Sequence, residues 1–574
     1  MSGSLSRRDF LQVAAAVAAV TGLGERLAHA AVRGNIRQDD LLRFTPKGQL
    51  TLLHIADTHA QLLPHYHREP SLNLGVGAGR GAPPHLAGSE ALHRFGVAPA
   101  SLDAYMLTSA DYTALARSYG RIGGMDRVAT LVAAIRAERG SERVLLLDGG
   151  DALQGSYTAL HSRGADMIAV MRALGIEATT GHWEFTLGVQ RILELFSTLG
   201  TSGTSDIPFL AGNVRDIDFD EPVFPSTRFI DKGGVSVAVI GQAFPYTPIA
   251  NPAWMIPSWT FGIRERRLRA TVAAARRHGA EVVVLLSHNG FDVDRKLAGR
   301  VEGIDVILTA HTHDALPAPV RVADTLLIAS GASAKFVSRL DLEVEHGRIK
   351  DFAYALIPVL ADAIAPDPEM ARLIAAIRAP HAAMLATELA RTDALLYRRD
   401  TFTGTLDRLI CDALAAERDA EIVFSPGFRW GPTLLPGQAI TWEDIYDATA
   451  ITYPAVYRTA MTGAQIKATL EAVADNLLNP DPYLQQGGDM VRVGGLGFTV
   501  HVDAAPDHRI ANLRLLRTGL PIEPGKSYVV AGWASVNEGT QGPPVWDVVF
   551  AYLKRHTVVA PSATEGVSYV RSAH

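Results

Sequence analysis

Cysteine is almost absent from this sequence, which has one such residue, Cys411, in 574. A single cysteine excludes an intramolecular disulfide, so the folded state must be stabilised by its hydrophobic core. Cys411 lies in the apolar helical pattern of residues 406–414. That pattern predicts a core position for Cys411 and argues against a nucleophilic thiol.

Clustered positive charge is also lacking. The chain has 54 Lys and Arg against 60 Asp and Glu, a formal net charge of −6. Proteins that bind nucleic acid usually carry a basic stripe, so no nucleic-acid partner is expected. With 48% hydrophobic and 20% charged residues, the composition is that of a globular protein long enough for two or more domains.

Long apolar runs are missing after the first thirty residues, so no stable membrane insertion is expected. Residues 6–12 read Ser-Arg-Arg-Asp-Phe-Leu-Gln, a twin-arginine signature, and residues 28–30 read Ala-His-Ala, a cleavage pattern. The apolar region between them, 11–23, is too short to span a membrane. We predict a signal peptide over 1–30 and export of a folded protein to the periplasm; the alternative interpretation is a buried apolar helix.

What the sequence does contain is a repeated alternation of apolar strands and amphipathic helices. Strands are predicted at 50–56, 144–148, 235–241, 282–286 and 306–308, with helices at 124–138, 164–174, 191–199 and 265–278. Residues 337–358 have the pattern of a hairpin. Such alternation predicts the α/β class, with a sheet that finishes in antiparallel strands.

Composition divides the chain into two domains with an insertion and a connector. The first domain is predicted over 31–358. Within it, residues 60–118 are rich in proline and glycine, and we interpret them as a long loop over the mouth of a site. Residues 359–393 are a connector with a helical pattern at 369–390, and residues 394–574 form a second α/β domain.

Carboxylates and imidazoles follow the predicted strands of the first domain. The strand at 144–148 ends in Asp-Gly-Gly-Asp, whose glycines allow the backbone to approach a bound group closely. An acid at a strand end also caps the following helix in many proteins, which is the alternative interpretation for each one alone. Five segments, however, offer such donors, and the candidate metal ligands are Asp57, His59, Asp151, His182, His288, His311 and His313.

Mixed His and Asp donors are typical of Mn, Fe or Zn sites, whereas shells of oxygen alone are typical of Mg or Ca. The set predicts two divalent ions with Asp151 as the shared ligand. A pair of ions ~3.5–4 Å apart polarises an anionic ester and activates a water molecule. The sequence therefore predicts a hydrolase.

The order of these motifs resembles that of calcineurin-like metallophosphoesterases joined to a 5'-nucleotidase C-terminal domain, and the resemblance covers nearly the whole mature chain. It implies a four-layer β-sandwich flanked by helices, a linker helix and a C-terminal 5'-nucleotidase-type α/β domain. It also implies the two ligand sets: Asp57, His59, Asp151 and His313 for one ion, and Asp151, His182, His288 and His311 for the other.

One motif departs from the pattern of that family. Where 5'-nucleotidases have Gly-Asn-His-Glu-Phe-Asp, residues 181–186 read Gly-His-Trp-Glu-Phe-Thr. His182 occupies the place of the metal-binding Asn, while Trp183 and Thr186 replace the catalytic His and its Asp. An ordinary phosphoesterase would be impaired by this change. A slip of one residue, which would make His182 the catalytic histidine, is the alternative.

The same motif, with residues 54–62, 425–431, 488–492 and the histidine-bearing insertion, resembles the SoxB family of thiosulfohydrolases. The resemblance implies a di-manganese centre, with Zn or Fe as alternatives, that hydrolyses a cysteine-S-thiosulfonate and releases sulfate. It implies that the substrate is carried by the flexible cysteine-bearing tail of a carrier protein, SoxYZ. In the mechanism we expect, a metal-bridging hydroxide attacks the terminal sulfonate sulfur.

The chemistry of the leaving group accounts for the loss of the histidine. A phosphate ester expels an alkoxide that needs an acid, whereas a sulfur-linked sulfonate expels a thiolate, and cysteine has a pKa near ~8.5. We therefore assign Trp183 to the catalytic set. Arg429 and Arg492 are predicted to be catalytic and to bind the substrate anion, with Asp489 and Asn537 as further substrate-binding candidates.

Other interpretations stay open at this point. Arg429 and Arg492 are also compatible with surface or interdomain salt bridges. The alternative function is a periplasmic 5'-nucleotidase or another phosphoesterase, in which Phe428 and Trp430 would sandwich a base. A non-catalytic relative that binds a carrier or an anion is a third interpretation.

Overall fold

The computed structural model describes residues 36–196, 206–562 and 566–572. The signal peptide predicted over 1–30 lies outside the described residues. Within the described ranges, no helix combines the length and the apolar character needed to cross a bilayer.

The first domain contains thirteen strands among the described residues. They are β1 (Leu50–Ile55), β2 (Val144–Asp148), β3 (Ala178–Thr179), β4 (Arg215–Asp216), β5 (Thr227–Lys232), β6 (Val235–Gln242), β7 (Trp259–Thr260), β8 (Val282–Ser287), β9 (Val306–Thr309), β10 (Val320–Val322), β11 (Thr325–Ala329), β12 (Phe336–Glu345) and β13 (Arg348–Pro358).

The first domain also contains eleven α-helices among the described residues. They are α1 (Gln38–Leu41), α2 (Gly88–Phe95), α3 (Leu102–Leu107), α4 (Tyr112–Tyr119), α5 (Met125–Arg139), α6 (Tyr157–Ser162), α7 (Ala165–Leu174), α8 (Val189–Leu195), α9 (Thr247–Ala250), α10 (Glu265–Arg277) and α11 (Phe291–Ala298).

Two sheets pack face to face in the first domain. One has the order β13-β12-β1-β2-β3 and the other β10-β11-β9-β8-β6-β5. β1, β2 and β3 run parallel, as do β6, β8, β9 and β11. The antiparallel strands are β12 and β13 at one edge of the first sheet and β10 and β5 at the two edges of the second. The α/β class and the antiparallel finish predicted from the sequence are confirmed.

Side chains that alternate along each strand build the four layers, because successive residues of a strand face opposite sides of its sheet. In β8, Val284 and Leu286 join the core between the two sheets. Val283 and Leu285 face the other way, into a core with helix α10. On the outer side of the other sheet, Leu53 belongs to a core with the residues of α5 and α7. The result is helix, sheet, sheet, helix.

The insertion at 60–118 is not the continuous loop that its composition predicts, because it contains the helices α2, α3 and α4. Tyr105 lies 5.7 Å from the Tyr119 ring and 5.6 Å from the Tyr112 ring, in a small core of its own. Each of these helices has at most eight residues. Such short segments among prolines and glycines give little periodic signal.

The connector is helical over a shorter range than 369–390. Its helices are α12 (Pro368–Arg378) and α13 (Ala382–Leu385), and residues 388–392 already belong to a strand. Asp367 caps α12, since its carboxylate accepts hydrogen bonds from the Glu369 and Met370 amides.

The remaining elements form the second domain. Its helices are α14 (Thr405–Arg418), α15 (Trp442–Thr449), α16 (Gly463–Leu477) and α17 (Val545–Leu553). Its strands are β14 (Glu388–Thr392), β15 (Ile422–Ser425), β16 (Ala439–Thr441), β17 (Tyr457–Thr462), β18 (Arg492–Gly494), β19 (Leu496–His501), β20 (Ile510–Leu515), β21 (Ser527–Gly532), β22 (Val558–Val559) and β23 (Val567–Val570). They form three small mixed sheets, and Cys411 on α14 is buried in the core, as predicted.

Candidate metal centre

The candidate ligands lie at one edge of the sandwich, where the parallel strands of both sheets end. Asp57 and His59 follow β1, Asp151 follows β2, and His182 follows β3. In the other sheet, His288 follows β8, and His311 and His313 follow β9. Parallel strands present their carboxyl ends at the same edge, which is why residues distant in sequence meet here.

The structure brings all seven predicted ligands together in two groups that share Asp151. One group is Asp151, His182, His288 and His311, and the other is Asp57, His59, Asp151 and His313; within each group one donor atom per residue lies within 4.8 Å of the others. These are the two sets implied by the resemblance. His182 stands among the ligand atoms, which favours its prediction as a ligand over the alternative of a catalytic histidine.

Asp151 is the centre of this arrangement. Its Oδ2 atom lies 3.1 Å from His288 Nε2 and 3.8 Å from both His59 Nε2 and His182 Nδ1. Its Oδ1 atom accepts a hydrogen bond of 2.7 Å from the Trp183 amide. One carboxylate oxygen therefore faces histidines of both groups while the other is held by the backbone.

The donor set fits divalent cations. Neither ring nitrogen of His182 has a hydrogen-bond partner within the described residues, and the same holds for Nε2 of His311 and Nδ1 of His313. His59 Nε2 and His313 Nε2 face each other at 3.1 Å. Buried polar atoms are normally paired, so a cluster of unpaired imidazole nitrogens beside carboxylates indicates metal ligation.

Burial and mutual charge shift the pKa values of these groups in opposite directions. Burial lowers the pKa of His59 to about 4. Burial also disfavours the ionised form of Asp151, but His288 and His182 outweigh it and hold the pKa of Asp151 well below its usual value. For His288, the carboxylates of Asp151 and Asp57 outweigh burial and raise the pKa to about 10. The centre is thus strongly coupled electrostatically.

Several ligands sit on strained backbone. The φ angles of Asp57, His59, Asp151, His311 and His313 are all positive, between 46° and 76°. Non-glycine residues rarely adopt this left-handed region, and each instance costs about 1–3 kcal/mol unless the surroundings fix it. Here the backbone is fixed by hydrogen bonds such as His59 N to Asp151 O at 2.8 Å and Asp57 N to Gly150 O at 2.9 Å.

A second set of residues orients the ligands, and no local sequence pattern predicts these residues. Glu184 accepts hydrogen bonds from the Ala152 amide at 2.8 Å and the His182 amide at 2.9 Å. Gln154 Oε1 lies 3.3 Å from His59 Nδ1. His288 Nδ1 donates to the Gly149 carbonyl at 2.6 Å, which leaves Nε2 free to coordinate. Glu184 belongs to the motif at 181–186, but it binds backbone amides, and no residue pattern in the sequence predicts such contacts.

Trp183 connects the centre to the second domain. Its ring is buried in the core of that domain and contacts Trp430 at 4.7 Å and Phe428 at 5.0 Å, both edge to face. Trp430 in turn stacks on His59 at 5.0 Å. An aromatic wall therefore stands at the motif position where the resemblance implies a catalytic histidine.

A cavity of about 350 Å³ opens between the domains at this centre. Asp151, His182, Trp183, His311 and His313 line its first-domain side, and Phe428, Arg429, Trp430, Gln486, Gly487, Gly488 and Asp489 line its second-domain side.

Arg429 is the predicted substrate residue that the fold places closest to the ligands. Its Nη1 atom donates to the His311 carbonyl at 3.3 Å, and its Nε donates to Asp489 at 3.0 Å. Asp489 thus holds Arg429 at the cavity wall. The sequence predicts substrate binding for Asp489; a contact of its carboxylate with a substrate stays a prediction.

Arg492 and Asn537 are placed differently. The Arg492 side chain is 2% exposed and is bound by Asp407, Asp489 and backbone carbonyls, so it stands behind Asp489. These ion pairs are buried and lie within the second domain, so they differ from the surface or interdomain salt bridge given as the alternative for Arg492. Asn537 lies in an exposed turn after β21, outside the lining of the cavity. Contact of either residue with a substrate stays a prediction.

Comparison with known proteins places the fold and the centre in one class. Residues 386–548 match the family described as 5'-nucleotidase, C-terminal domain. The chain is 23% identical to the 5'-nucleotidase of Mus musculus over 531 residues, which is 81% of this chain and 88% of that protein. A 5'-nucleotidase precursor from Thermus thermophilus shares the fold, with a TM-score of 0.71 at 20% identity over 91% of this chain and all of that one. The class is that of the 5'-nucleotidase-type metallophosphoesterases, which are hydrolases.

A more specific match is the solved structure of the Thermus thermophilus sulfate thiohydrolase SoxB in complex with glycerol. The TM-score is 0.88 at 37% identity, over 92% of this chain and 98% of that chain. The chain therefore belongs to the SoxB family. Residues 4–24 match the twin-arginine translocation signal family, so the protein is exported to the periplasm by that pathway, as predicted.

Proposed function

We propose that the protein is a thiosulfohydrolase that releases sulfate from a cysteine-S-thiosulfonate carried by a SoxYZ-type carrier protein. One observation carries the proposal: the dinuclear ligand set is complete, yet Trp183 occupies the position of the catalytic histidine. A hydrolase built this way suits a substrate whose leaving group needs no acid.

The chain itself supplies the binding and orientation. Two cations held by the paired ligand sets would contribute Lewis acidity toward the sulfonate oxygens and activation of a water molecule, and Mn is the metal proposed. Arg429 offers guanidinium protons at the cavity wall, where they would bind an oxygen of the sulfonate. Asp489 fixes the orientation of Arg429 before the substrate arrives.

The reaction breaks the sulfur–sulfur bond. The water oxygen bonds to the terminal sulfonate sulfur as the sulfur–sulfur bond breaks, and the bonding pair stays on the sulfur attached to the carrier. The sulfonate leaves as sulfate, and the two water protons pass to solvent or to the departing sulfur. The departing sulfur is a thiolate or persulfide of low basicity, so it needs little protonation. Trp183 excludes water on the side where an acid would otherwise stand.

The site also suits a substrate presented on a tail. The cavity lies between the domains, is about 350 Å³ in volume, and is open to solvent along Ile249, which is itself 57% exposed. We expect this opening between the domains to accept an extended peptide end with its reactive group foremost.

A 5'-nucleotidase activity is less compatible with the aromatic residues. Base recognition would require Phe428 and Trp430 to hold an adenine between them, but the two rings stack directly on each other at 4.2 Å. Trp430 is further held by His59 on one side and Trp183 on the other. Opening this stack would disturb the ligand His59.

The test is to give Mn-loaded protein a carrier tail bearing a cysteine-S-thiosulfonate and, separately, AMP, and to measure sulfate and phosphate. Sulfate without phosphate is the expected result. Phosphate without sulfate would identify a phosphoesterase, and neither product would point to the non-catalytic relative. An Asp151→Asn variant serves as the control for contaminating hydrolases, because it removes the shared ligand.

A further inference from the structure

The loop that presents His311 and His313 is held by a residue of the second domain. Arg399 Nη2 donates to the carbonyl of Thr312, the residue between these two ligands, at 3.2 Å. It also lies 3.3 Å from Asp314 Oδ1. Because His311 and His313 both have positive φ angles, this loop depends on contacts of this kind to keep its shape.

Arg399 is in turn held by the insertion. Its Nη1 atom forms an ion pair with Glu69, whose other carboxylate oxygen accepts a hydrogen bond of 2.8 Å from Lys335 Nζ. Lys335 belongs to the first domain and precedes β12. The four charged groups of this network, Glu69, Asp314, Lys335 and Arg399, are each less than 8% exposed.

The network balances two cations against two carboxylates, contributed by the first domain, its insertion and the second domain. A buried charge that loses its partner is strongly destabilising. The ion pairs are therefore complete only when the second domain is docked. Undocking would expose Glu69 and remove the donor that holds the Thr312 carbonyl.

We infer that Arg399 is a positioning residue for the metal centre and that Glu69, by fixing Arg399, couples docking of the second domain to metal retention. Coupling of this kind is reciprocal: what strengthens docking strengthens metal binding, and bound metal strengthens docking to the same extent. The inference goes beyond the proposed function, since it concerns the centre and is independent of which substrate is cleaved.

The insertion supplies a matched control. Arg68 is also buried and also joins the insertion to the second domain, with Nη1 3.9 Å from Asp400 and its guanidinium 4.0 Å from the Tyr397 ring. Neither Asp400 nor Tyr397 belongs to the ligand loop at 311–313. Arg68→Gln therefore weakens docking in general without releasing Thr312.

The experiment measures Mn²⁺ binding by calorimetry, and melting temperature with and without Mn²⁺, in wild type and in Arg399→Gln, Glu69→Gln and Arg68→Gln. Outer-shell changes typically cost 10–100-fold in metal affinity. We expect a loss in that range for Arg399→Gln, a smaller loss for Glu69→Gln, and near wild-type affinity for Arg68→Gln. The gain in melting temperature on adding Mn²⁺ should shrink in the same order.

Two results would overturn the inference: unchanged Mn²⁺ affinity in Arg399→Gln, or an equal loss in Arg68→Gln, which would mean that only general docking matters. If Arg399→Gln does not fold, Arg399→Lys is measured instead. Lysine keeps the positive charge but lacks the planar guanidinium group that contacts both Thr312 and Asp314. Wild-type affinity in Arg399→Lys would then contradict the role. No substrate is used, so failure of the proposed reaction leaves this test intact.

Discussion

In the proposed function, a single side chain, Trp183, separates the chemistry of this centre from that of phosphoesterases. It stands where the resembled motif has a histidine acid, and its ring packs against Trp430 and Phe428. The replacement removes a proton donor and at the same time joins the first domain to the core of the second. Loss of one function and gain of a packing contact therefore occur at one position.

Restoring the histidine should restore phosphate chemistry. We expect Trp183→His, and more so the double change with Thr186→Asp, to raise phosphate release from AMP by about 10²-fold, the lower end of what a positioned acid contributes. The measurement is initial-rate phosphate production with Mn²⁺ present.

Trp183→Phe is the control for this experiment, because it opens similar space without adding an acid. Equal rates in the phenylalanine and histidine variants would contradict the leaving-group argument. Some loss of stability is expected in both, since shortening a buried aromatic side chain costs a few kcal/mol.

At the scale of single residues, the sequence predicted the candidate metal ligands but not the residues that hold these ligands in place. Asp57, His59 and Asp151 were found because a donor after an apolar strand leaves a local pattern. Arg399 and Glu184 act on backbone groups, the Thr312 carbonyl and the His182 amide. Contacts between a side chain and a distant backbone have no residue pattern, so only the fold reveals them.

Among the elements, the glycine loop at 487–488 of the second domain lies against the candidate ligand His311. Gly487 has a φ of +76°, and a Cβ atom at this position would lie 2.0 Å from His311 Nε2. A methyl group there must displace His311 or the loop. The loop that closes the cavity therefore touches the ligand directly.

Gly487→Ala should abolish or greatly reduce Mn²⁺ occupancy while the second domain stays folded. Gly488→Ala is a matched control, since its φ is +82° but a Cβ would meet nothing within 4 Å. Both variants carry the same backbone strain, about 1–3 kcal/mol. Metal content per chain after dialysis distinguishes them, and equal retention would show that His311 tolerates the contact.

Elements with a clear period were predicted within a few residues, as with β8 and α10. The insertion was not, because α2, α3 and α4 are short and their core residues form a small cluster of their own, which also includes Phe336 of β12 and Leu360 of the connector. Their helices follow from tertiary packing, which overrides weak local propensity.

For the whole molecule, the buried network around Glu69 links stability to pH. Burial opposes ionisation of Glu69, but Lys335 and Arg399 outweigh it and lower the pKa from 4.5 to about 2. A lowered pKa means that the stabilisation is fully present above pH 4.5 and is lost as the pH falls toward 2. A pKa shift of this size corresponds to about 3 kcal/mol of folding free energy at neutral pH.

Glu69→Gln should therefore be less stable than wild type at neutral pH, and the difference should narrow as the pH falls from 5 to 3. Urea unfolding at a series of pH values measures it. A difference that stays constant over this range would show that the Glu69 carboxylate does not titrate as described. Asp103→Asn, at a partly exposed site far from the network, is a suitable comparison.

The segment at 66–76 also has a consequence for the order in which the protein is made. Leu72 N binds the Asp400 carboxylate across 328 residues of chain, so this early segment waits for a partner that leaves the ribosome much later. Translation of the ligand loop is likewise complete before Arg399 exists. On the inferred role of Arg399, we expect a nascent chain to bind metal weakly until residue 399 has emerged, so that the centre is completed late in synthesis.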